Sequence, residues 1–347
     1  MRHPTVAAAA LISVTVAALP CWSQDSLGIT GTVFTNPGAR SIGLGGAFAA
    51  IADDATAAFA NPAGLVQILR PEISIEIRGT ASRVDRETPY DLATGVSGLG
   101  FFSFVYPSRS WALALYSHQM ASVGFSFTYP DTLTQEFTVR SFAAAAAFEI
   151  SEHLSLGAGL SYFDGDRSSV AGLTGFSDAD WGLSAGVLWK VSRAWNLAGF
   201  YRQGPEFESR AAPTRFSFPN EYGVGVAFQP KAGALTVGLE WDRVGGTTDP
   251  LQDGHAVTEG GSEYHLGVEY AVLRWKPVPV FRAGLWRESG RRHDIIASHG
   301  VKDSSRSDDL GHGAFGVGLA FKRFQIDAGV DISERAVIGS ASFVYSF

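Results

Sequence analysis

The chain has 347 residues, of which 27 are Lys or Arg and 34 are Asp or Glu, for a formal net charge of −7. That balance argues against nucleic acid as a partner, because phosphate backbones require a basic surface. A single cysteine, Cys21, excludes an internal disulfide scaffold and a thiolate metal cluster.

Arg2 and His3 make a weakly basic start, Val6 to Leu19 is uncharged and mostly apolar, and Cys21-Trp22-Ser23 suits a cut before Gln24. This pattern predicts a signal peptide over residues 1–23 and an exported protein. Acylation of Cys21 is the alternative, and Pro20 directly before it is the wrong neighbour. Loss of Arg2 would leave 26 basic residues against 34 acidic ones, a balance of −8, and no cysteine. No later apolar stretch has the length of a membrane-spanning helix. Two classes remain, a soluble exported protein or a β-barrel of the outer membrane. Forty glycines, 24 phenylalanines and a slightly positive mean hydropathy favour the barrel, since a soluble sheet leaves one face polar.

Residues 24–70 show no strand periodicity. The stretch "GARSIGLGGAFAAIADDATAAFANPAGL", Gly38 to Leu65, is rich in small residues. It predicts a helix over Ala47–Ala60 that Pro62 stops, because proline lacks an amide hydrogen and clashes with the preceding turn. Such a helix is too short, and at Asp53 and Asp54 too polar, to cross lipid, so protein must enclose it.

From residue 71 a period of two recurs. Ile73, Ile75 and Ile77 share one face, as do Trp111, Leu113 and Leu115, then Leu154, Leu156, Ala158, Leu160 and Tyr162, then Trp181, Leu183, Ala185, Val187 and Trp189. The series continues through Leu235 to Trp241, Tyr264 to Val272, Phe315 to Phe321 and Phe324 to Ile332, with Gly, Ser, Thr and charged residues on the opposite faces. Aromatic residues at the ends of apolar faces match the two girdles of a membrane barrel. About fourteen such segments are present, each near the ten residues that a tilted strand needs to cross a bilayer. Connections alternate: those at 107–110, 150–153, 191–195, 229–233, 274–277 and 322–324 are short, whereas 84–97, 164–179, 242–262 and 287–309 are long and polar. The expected fold is therefore all-β, a transmembrane antiparallel barrel of about 14 strands over residues 71–347, with residues 24–70 as a small helical plug in its lumen. The last strand is amphipathic and stops at Phe347, a terminal signal of the kind the barrel-assembly machinery reads, so that machinery and outer-membrane lipid are expected partners.

The segment from Gly38 to Leu65, including the triplet Asn61-Pro62-Ala63, resembles the amino-terminal hatch of FadL-type (FadL/TodX-like) outer-membrane transporters of long-chain fatty acids and other hydrophobic compounds. PorV-like and PorQ-like barrels of a bacterial secretion system are similar over the same stretch. The resemblance implies passive transport of hydrophobic small molecules, such as fatty acids or alkyl and aromatic compounds, across the bacterial outer membrane. The alternative it carries is a PorV-like accessory that shuttles secreted proteins. On the transport reading, Phe34, Leu44, Phe48, Phe59 and Leu65 of the plug, with Phe102 and Phe104 of a wall strand, are the expected ligand contacts. Asn61 is expected to cap or anchor the plug, and Asp53 and Asp54 to pair with lumenal Arg78, Arg202 or Arg282. Members of the family release substrate sideways through a kink in the third strand. Here that strand breaks its apolar register at Ser117 and Gln119 before Gly124, which become the candidate lateral gate.

Signals for other chemistry are weaker. "GLSAG" has the spacing of a nucleophile elbow around Ser184 but lies inside an alternating strand, where the required strand-to-helix turn is missing. A lipid-modifying enzyme is thereby disfavoured and no catalytic residue is expected. "GLGGAF" lacks the third glycine and preceding strand of a dinucleotide site. His293, Asp294, His299 and Asp303 lack metal-ligand spacing. No cofactor and no metal are expected.

Overall fold

The computed structural model describes residues 35–82, 90–94, 97–128, 132–167, 176–209, 214–230, 233–251, 254–297 and 300–347. The proposed signal peptide and Phe34 lie outside these residues, as does His299.

The strands are β1 (Glu72–Ser82), β2 (Tyr90–Thr94), β3 (Ser97–Pro107), β4 (Trp111–Thr128), β5 (Thr132–Ser151), β6 (Leu154–Arg167) and β7 (Phe176–Lys190). They continue with β8 (Trp195–Arg202), β9 (Glu206–Ser209), β10 (Thr214–Ser217), β11 (Glu221–Phe228), β12 (Leu235–Val244), β13 (Thr247–Leu251) and β14 (Gly254–Thr258). The remainder are β15 (Gly261–Ala271), β16 (Val278–Glu288), β17 (Arg292–Ala297), β18 (Gly300–Arg306), β19 (Leu310–Ala320), β20 (Phe324–Ser333) and β21 (Ala336–Ser346). Antiparallel pairing runs from β1 through β3, β4, β5, β6, β7, β8, β11, β12, β15, β16, β19 and β20 to β21, which pairs back onto β1. Fourteen strands thus form a closed barrel, and β2 adds to the upper part of β4. Closure gives every wall strand a neighbour on both sides, the condition for placing backbone amides in lipid.

Alternation sorts the side chains as the sequence pattern predicts. Ile75, Ile77, Leu113, Leu115, Leu183, Leu239, Leu266 and Val317 are exposed on the outer face, while Ser74, Glu76, Ala112, Ala114 and Glu240 are buried toward the lumen. Trp181 and Trp189 stand on one outer face of β7, eight residues apart. That is about 27 Å along a strand, or about 21 Å of membrane depth at a 40° tilt, close to the roughly 25 Å apolar band of such barrels.

Short turns close one end of the barrel. At the other end, parts of the long polar connections form strands of their own. β13, β14, β17 and β18 pair in that order into a four-stranded antiparallel sheet, and β9 pairs with β10. Pro250 lies in β13, an edge strand of that sheet, where its missing amide hydrogen costs no ladder bond.

The plug also departs from expectation. In place of a helix over Ala47–Ala60 it has α1 (Ala39–Gly43), a run of turns, α2 (Ala57–Ala60) and a 3₁₀ helix over Pro62–Gln67. Asp54 accepts hydrogen bonds from the Thr56 amide and hydroxyl, a local turn that competes with helix. Asn61 ends α2 before Pro62, and its Oδ1 accepts from Ala63 N at 3.1 Å as the cap of the 3₁₀ helix.

Candidate functional site

The plug touches the wall backbone to backbone, and wall glycines make room for it. A Cβ on Gly284 would lie 2.3 Å from Gly45 N, and one on Gly157 would lie 2.3 Å from Ala63 N. Leu44, Phe48, Ile51 and Leu65 are completely buried in this seam, opposite the small inner side chains Ala112, Ala145 and Ala147.

Because the plug has little helix, its backbone polar groups find partners on the wall. Glu240 Oε2 accepts from the amides of Phe48 and Ala49 at 2.8 and 2.7 Å, and Glu72 Oε1 accepts from Ala55 N at 2.9 Å. Asn61 Nδ2 donates to Ala49 O at 3.0 Å and to Val187 O on β7 at 3.2 Å. Arg78 and Arg202 each donate to Asn36, through its carbonyl and its side chain respectively, at 3.0 Å.

The plug acids do not pair with wall arginines. Asp53 and Asp54 both bind Arg40 of the plug itself, at 2.5 and 3.3 Å, and Arg40 reaches Glu269 of β15 at 2.8 Å. Glu269 then binds Arg282, which holds Asp327. Wall contact therefore runs through Arg40, while Arg78 pairs with Glu76 and Arg202 with Glu221. Burial pushes the Asp53 carboxyl above its ordinary range, against the opposing pull of Arg40.

One part of the wall is irregular. β3 pairs with β4 from Pro107↔Ala112 to Phe101↔His118, and pairing resumes only at Thr94↔Val123, between β2 and β4. Among the described residues, 119–122 of β4 have no partner on the β3 side, although Gln119, Ala121 and Ser122 pair with β5 on the other. On its other side β4 carries a bulge at Met120, between Gln119↔Arg140 and Ala121↔Val139. Gly98 there has φ of +110°, open to glycine, and β3 shifts register against β1 at Glu76/Ile77. Ser117 and Gln119 lie on the outward series of β4 just before this bulge, half-buried, and Gly124 pairs with Ala93 and Glu136 beyond it. The irregular edge lies between the second and third wall strands.

Aromatic side chains collect behind it. Phe59 of α2 packs edge-on against His118 at 4.5 Å and Tyr116 at 6.4 Å, and Phe101 lies 5.7 Å from Tyr116. The Arg202 guanidinium sits 4.6 Å over Phe59 and 4.4 Å over Phe200. Toward the long-loop end a second apolar group follows: Met120, Ala121, Val139, Phe163 and Phe207, with Phe137 and Phe218 packed on it. Phe207 arrives from the β9–β10 hairpin and lies against the backbone at Gly165.

Leu44, Phe48, Phe59 and Leu65 all lie in the plug-to-wall seam, and of these only Phe59 reaches the aromatic group. Phe102 and Phe104 are on the outside, 40% and 37% exposed, whereas Phe101 is completely buried toward the lumen. A strand alternates strictly, so choosing the wrong one of the adjacent Phe101 and Phe102 reverses the face. Ser184 is a buried lumenal residue in the middle of β7 and lies on no strand-to-helix turn. Met120, Val139, Phe163 and Phe207 were not picked out from the sequence. The interruption of apolar alternation after Leu115 was the one signal pointing to their neighbourhood.

No family model matches the sequence, and no curated protein is similar to it in sequence. Solved structures match over nearly the whole chain. A Pseudomonas aeruginosa FadL homologue superposes with a TM-score of 0.69 at 12% identity, covering 89% of this chain and 98% of that one. The Ralstonia pickettii toluene transporter TbuX gives 0.66 at 14% identity, covering 90% and 99%. The CymD monoaromatic hydrocarbon channel gives 0.64 at 16% identity, covering 90% and 98%. The plugged fourteen-stranded barrel, its apolar outer belt and these superpositions agree: the chain has the fold of the FadL-type outer-membrane channels.

Proposed function

We propose that this chain is a passive outer-membrane channel for hydrophobic small molecules. Its substrate enters at the long-loop end and is held by the apolar group around Met120, Phe163 and Phe207. It passes the aromatic residues beside Phe59 and leaves sideways between β3 and β4. The single observation that carries this reading is the coincidence of the stretch of β4 without a β3-side partner among the described residues, the bulge at Met120 and the aromatic lining behind both. The similarity in fold to a toluene transporter and a monoaromatic hydrocarbon channel supports an aromatic or alkyl substrate class, with long-chain fatty acids as the alternative.

The physical argument is one of matched affinity. Burying about 150 Å² of apolar ligand surface is worth about 4 kcal/mol, enough to draw a sparingly soluble molecule from water. It is not enough to trap that molecule when lipid offers a similar environment beyond the wall, so the flow needs no energy source. A straight axial exit would return the ligand to water, whereas a lateral one keeps it in apolar surroundings throughout.

Deleting Met120 tests the proposal. The deletion brings Gln119 and Ala121 into continuous register with Arg140 and Val139, and it restores strict alternation along β4. Cells producing the wild-type chain should accumulate labelled toluene or labelled long-chain fatty acid faster than cells lacking it. Those with the deletion should fall back to the rate without the protein while the barrel still assembles. Undiminished uptake by an assembled deletion variant would refute the lateral route.

A further inference from the structure

β12 and β15 bring three ligand atoms together at the edge of a lumenal cavity of about 50 Å³ that also borders Asn36, Gly45 and Arg291. Their register sets Asp242 directly across from Glu263, with His265 two residues further along β15. His265 Nδ1 lies 2.7 Å from the carbonyl oxygen of Gly45 in the plug. A carbonyl can only accept, so Nδ1 carries the hydrogen and Nε2 is the ring atom left to face the two carboxylates. That atom is buried and has no hydrogen-bond partner. It stands 3.3 Å from Asp242 Oδ2 and 3.7 Å from Glu263 Oε2, and the three ligand atoms all lie within 4.8 Å of one another.

These separations are long for charge-assisted hydrogen bonds, which run to about 2.9 Å. The two distances from Nε2 are close to the edge of a tetrahedron, about 3.4 Å, around an ion about 2.1 Å from each ligand atom. Local charge points the same way. Glu263 gives its other oxygen, Oε1, to Arg291 at 3.1 Å, Glu221 pairs with Arg202, and Glu240 is held by the Phe48 and Ala49 amides. Among the described residues Asp242 has no arginine or lysine salt-bridge partner, although it is only 3% exposed; the cation that balances it is either a protonated His265, at 3.3 Å, or a bound ion.

We propose that Asp242 Oδ2, Glu263 Oε2 and His265 Nε2 bind one divalent ion of the zinc class, with a fourth position open to water in the cavity. A single imidazole with two carboxylates suits such an ion. The bond from His265 Nδ1 to Gly45 is the outer contact that orients a metal-binding histidine. The ion thereby clamps the Gly45–Gly46 turn of the plug to the wall.

Cobalt(II) is the probe, added to the full chain in detergent after chelator treatment. One equivalent should bind with the intense visible bands of tetrahedral cobalt, and one equivalent of zinc should abolish them. His265→Gln and Asp242→Asn, each confirmed as folded by heat-modifiable migration in gels, should weaken binding at least 10-fold. His293→Gln, on β17 outside the barrel wall, should leave it unchanged. Absence of the bands at one equivalent, or their persistence in His265→Gln, would overturn the proposal, as would their loss in His293→Gln. X-ray absorption of the zinc-loaded wild-type chain provides a check that needs no variant. One imidazole in the coordination shell supports the site, and none or several refute it.

Discussion

Asn61→Ala is the sharpest perturbation of the plug. The buried side chain makes three hydrogen bonds, from its amide nitrogen to Ala49 O and to the partly buried Val187 O, and to its oxygen from Ala63 N. Alanine leaves those three backbone groups without that partner, in a seam where the wall closes on the side chain: a Cβ at Gly186 would lie 2.0 Å from Asn61 Oδ1. Each orphaned buried group costs about 1–3 kcal/mol. At the lower end the total is about 3 kcal/mol, which raises the undocked fraction of this part of the plug about 150-fold, at tenfold per 1.4 kcal/mol. Amide hydrogen exchange reads that equilibrium directly when opening precedes exchange. Peptides spanning Ala57 to Gln67 should exchange about 100-fold faster in the variant, while those from β16 and β19 should not change. Acceleration of less than threefold in the plug peptides would show that these bonds do not hold it.

Other expectations follow from the same seam. Gly284→Ala should displace the plug and make planar-bilayer conductance leaky, because the added Cβ meets Gly45 N at 2.3 Å, whereas Gly313→Ala, with nothing within 4 Å, should behave as wild type. Arg40→Ala removes the arginine partner of the half-buried Asp53 and Asp54 and leaves Glu269 with Arg282 alone, and should loosen the plug by about 1–3 kcal/mol. That variant should tighten again as the medium is acidified from neutrality toward pH 4. The docked Asp53 has a raised pKa, so the docked state binds its proton more readily than the undocked one and lower pH favours docking. Hydrogen exchange of Ala39 to Thr56 at several pH values checks the sign, and a plug that loosens on acidification would contradict it.

The barrel was legible because a wall with lipid on one side must alternate, and a period of two survives in any single strand such as Ile73 to Ile77 or Trp181 to Trp189. What could not be read depended on partners distant in sequence. Alanine content over Ala47–Ala60 promised a helix, but Glu240 and Glu72 supply acceptors for the amides of Phe48, Ala49 and Ala55, and these wall contacts override propensity. The strands of the long polar connections join into a four-stranded sheet only because β14 pairs with β17, a register that neither segment shows alone. The gate region was half legible. Loss of apolar phase at Ser117 and Gln119 marks β4, but the bulge at Met120 and the break in β3–β4 pairing among the described residues emerge only once the strands are paired. In "GFFSFVYP" two adjacent phenylalanines fit either phase, and the one facing the lumen is Phe101. Asp242, Glu263 and His265 converge through strand register alone, which is why no ligand spacing announces them.

The central claim is that apolar molecules occupy the lumen between the plug and β4. Photolabelling tests it most directly, using the reconstituted chain, a small aryl diazirine and mass spectrometry of the adducts. The account predicts adducts at the inward residues Tyr116, Met120 and Phe163, and competition by unlabelled toluene. Adducts confined to the lipid-facing Phe104, Leu113 and Leu115 would contradict it.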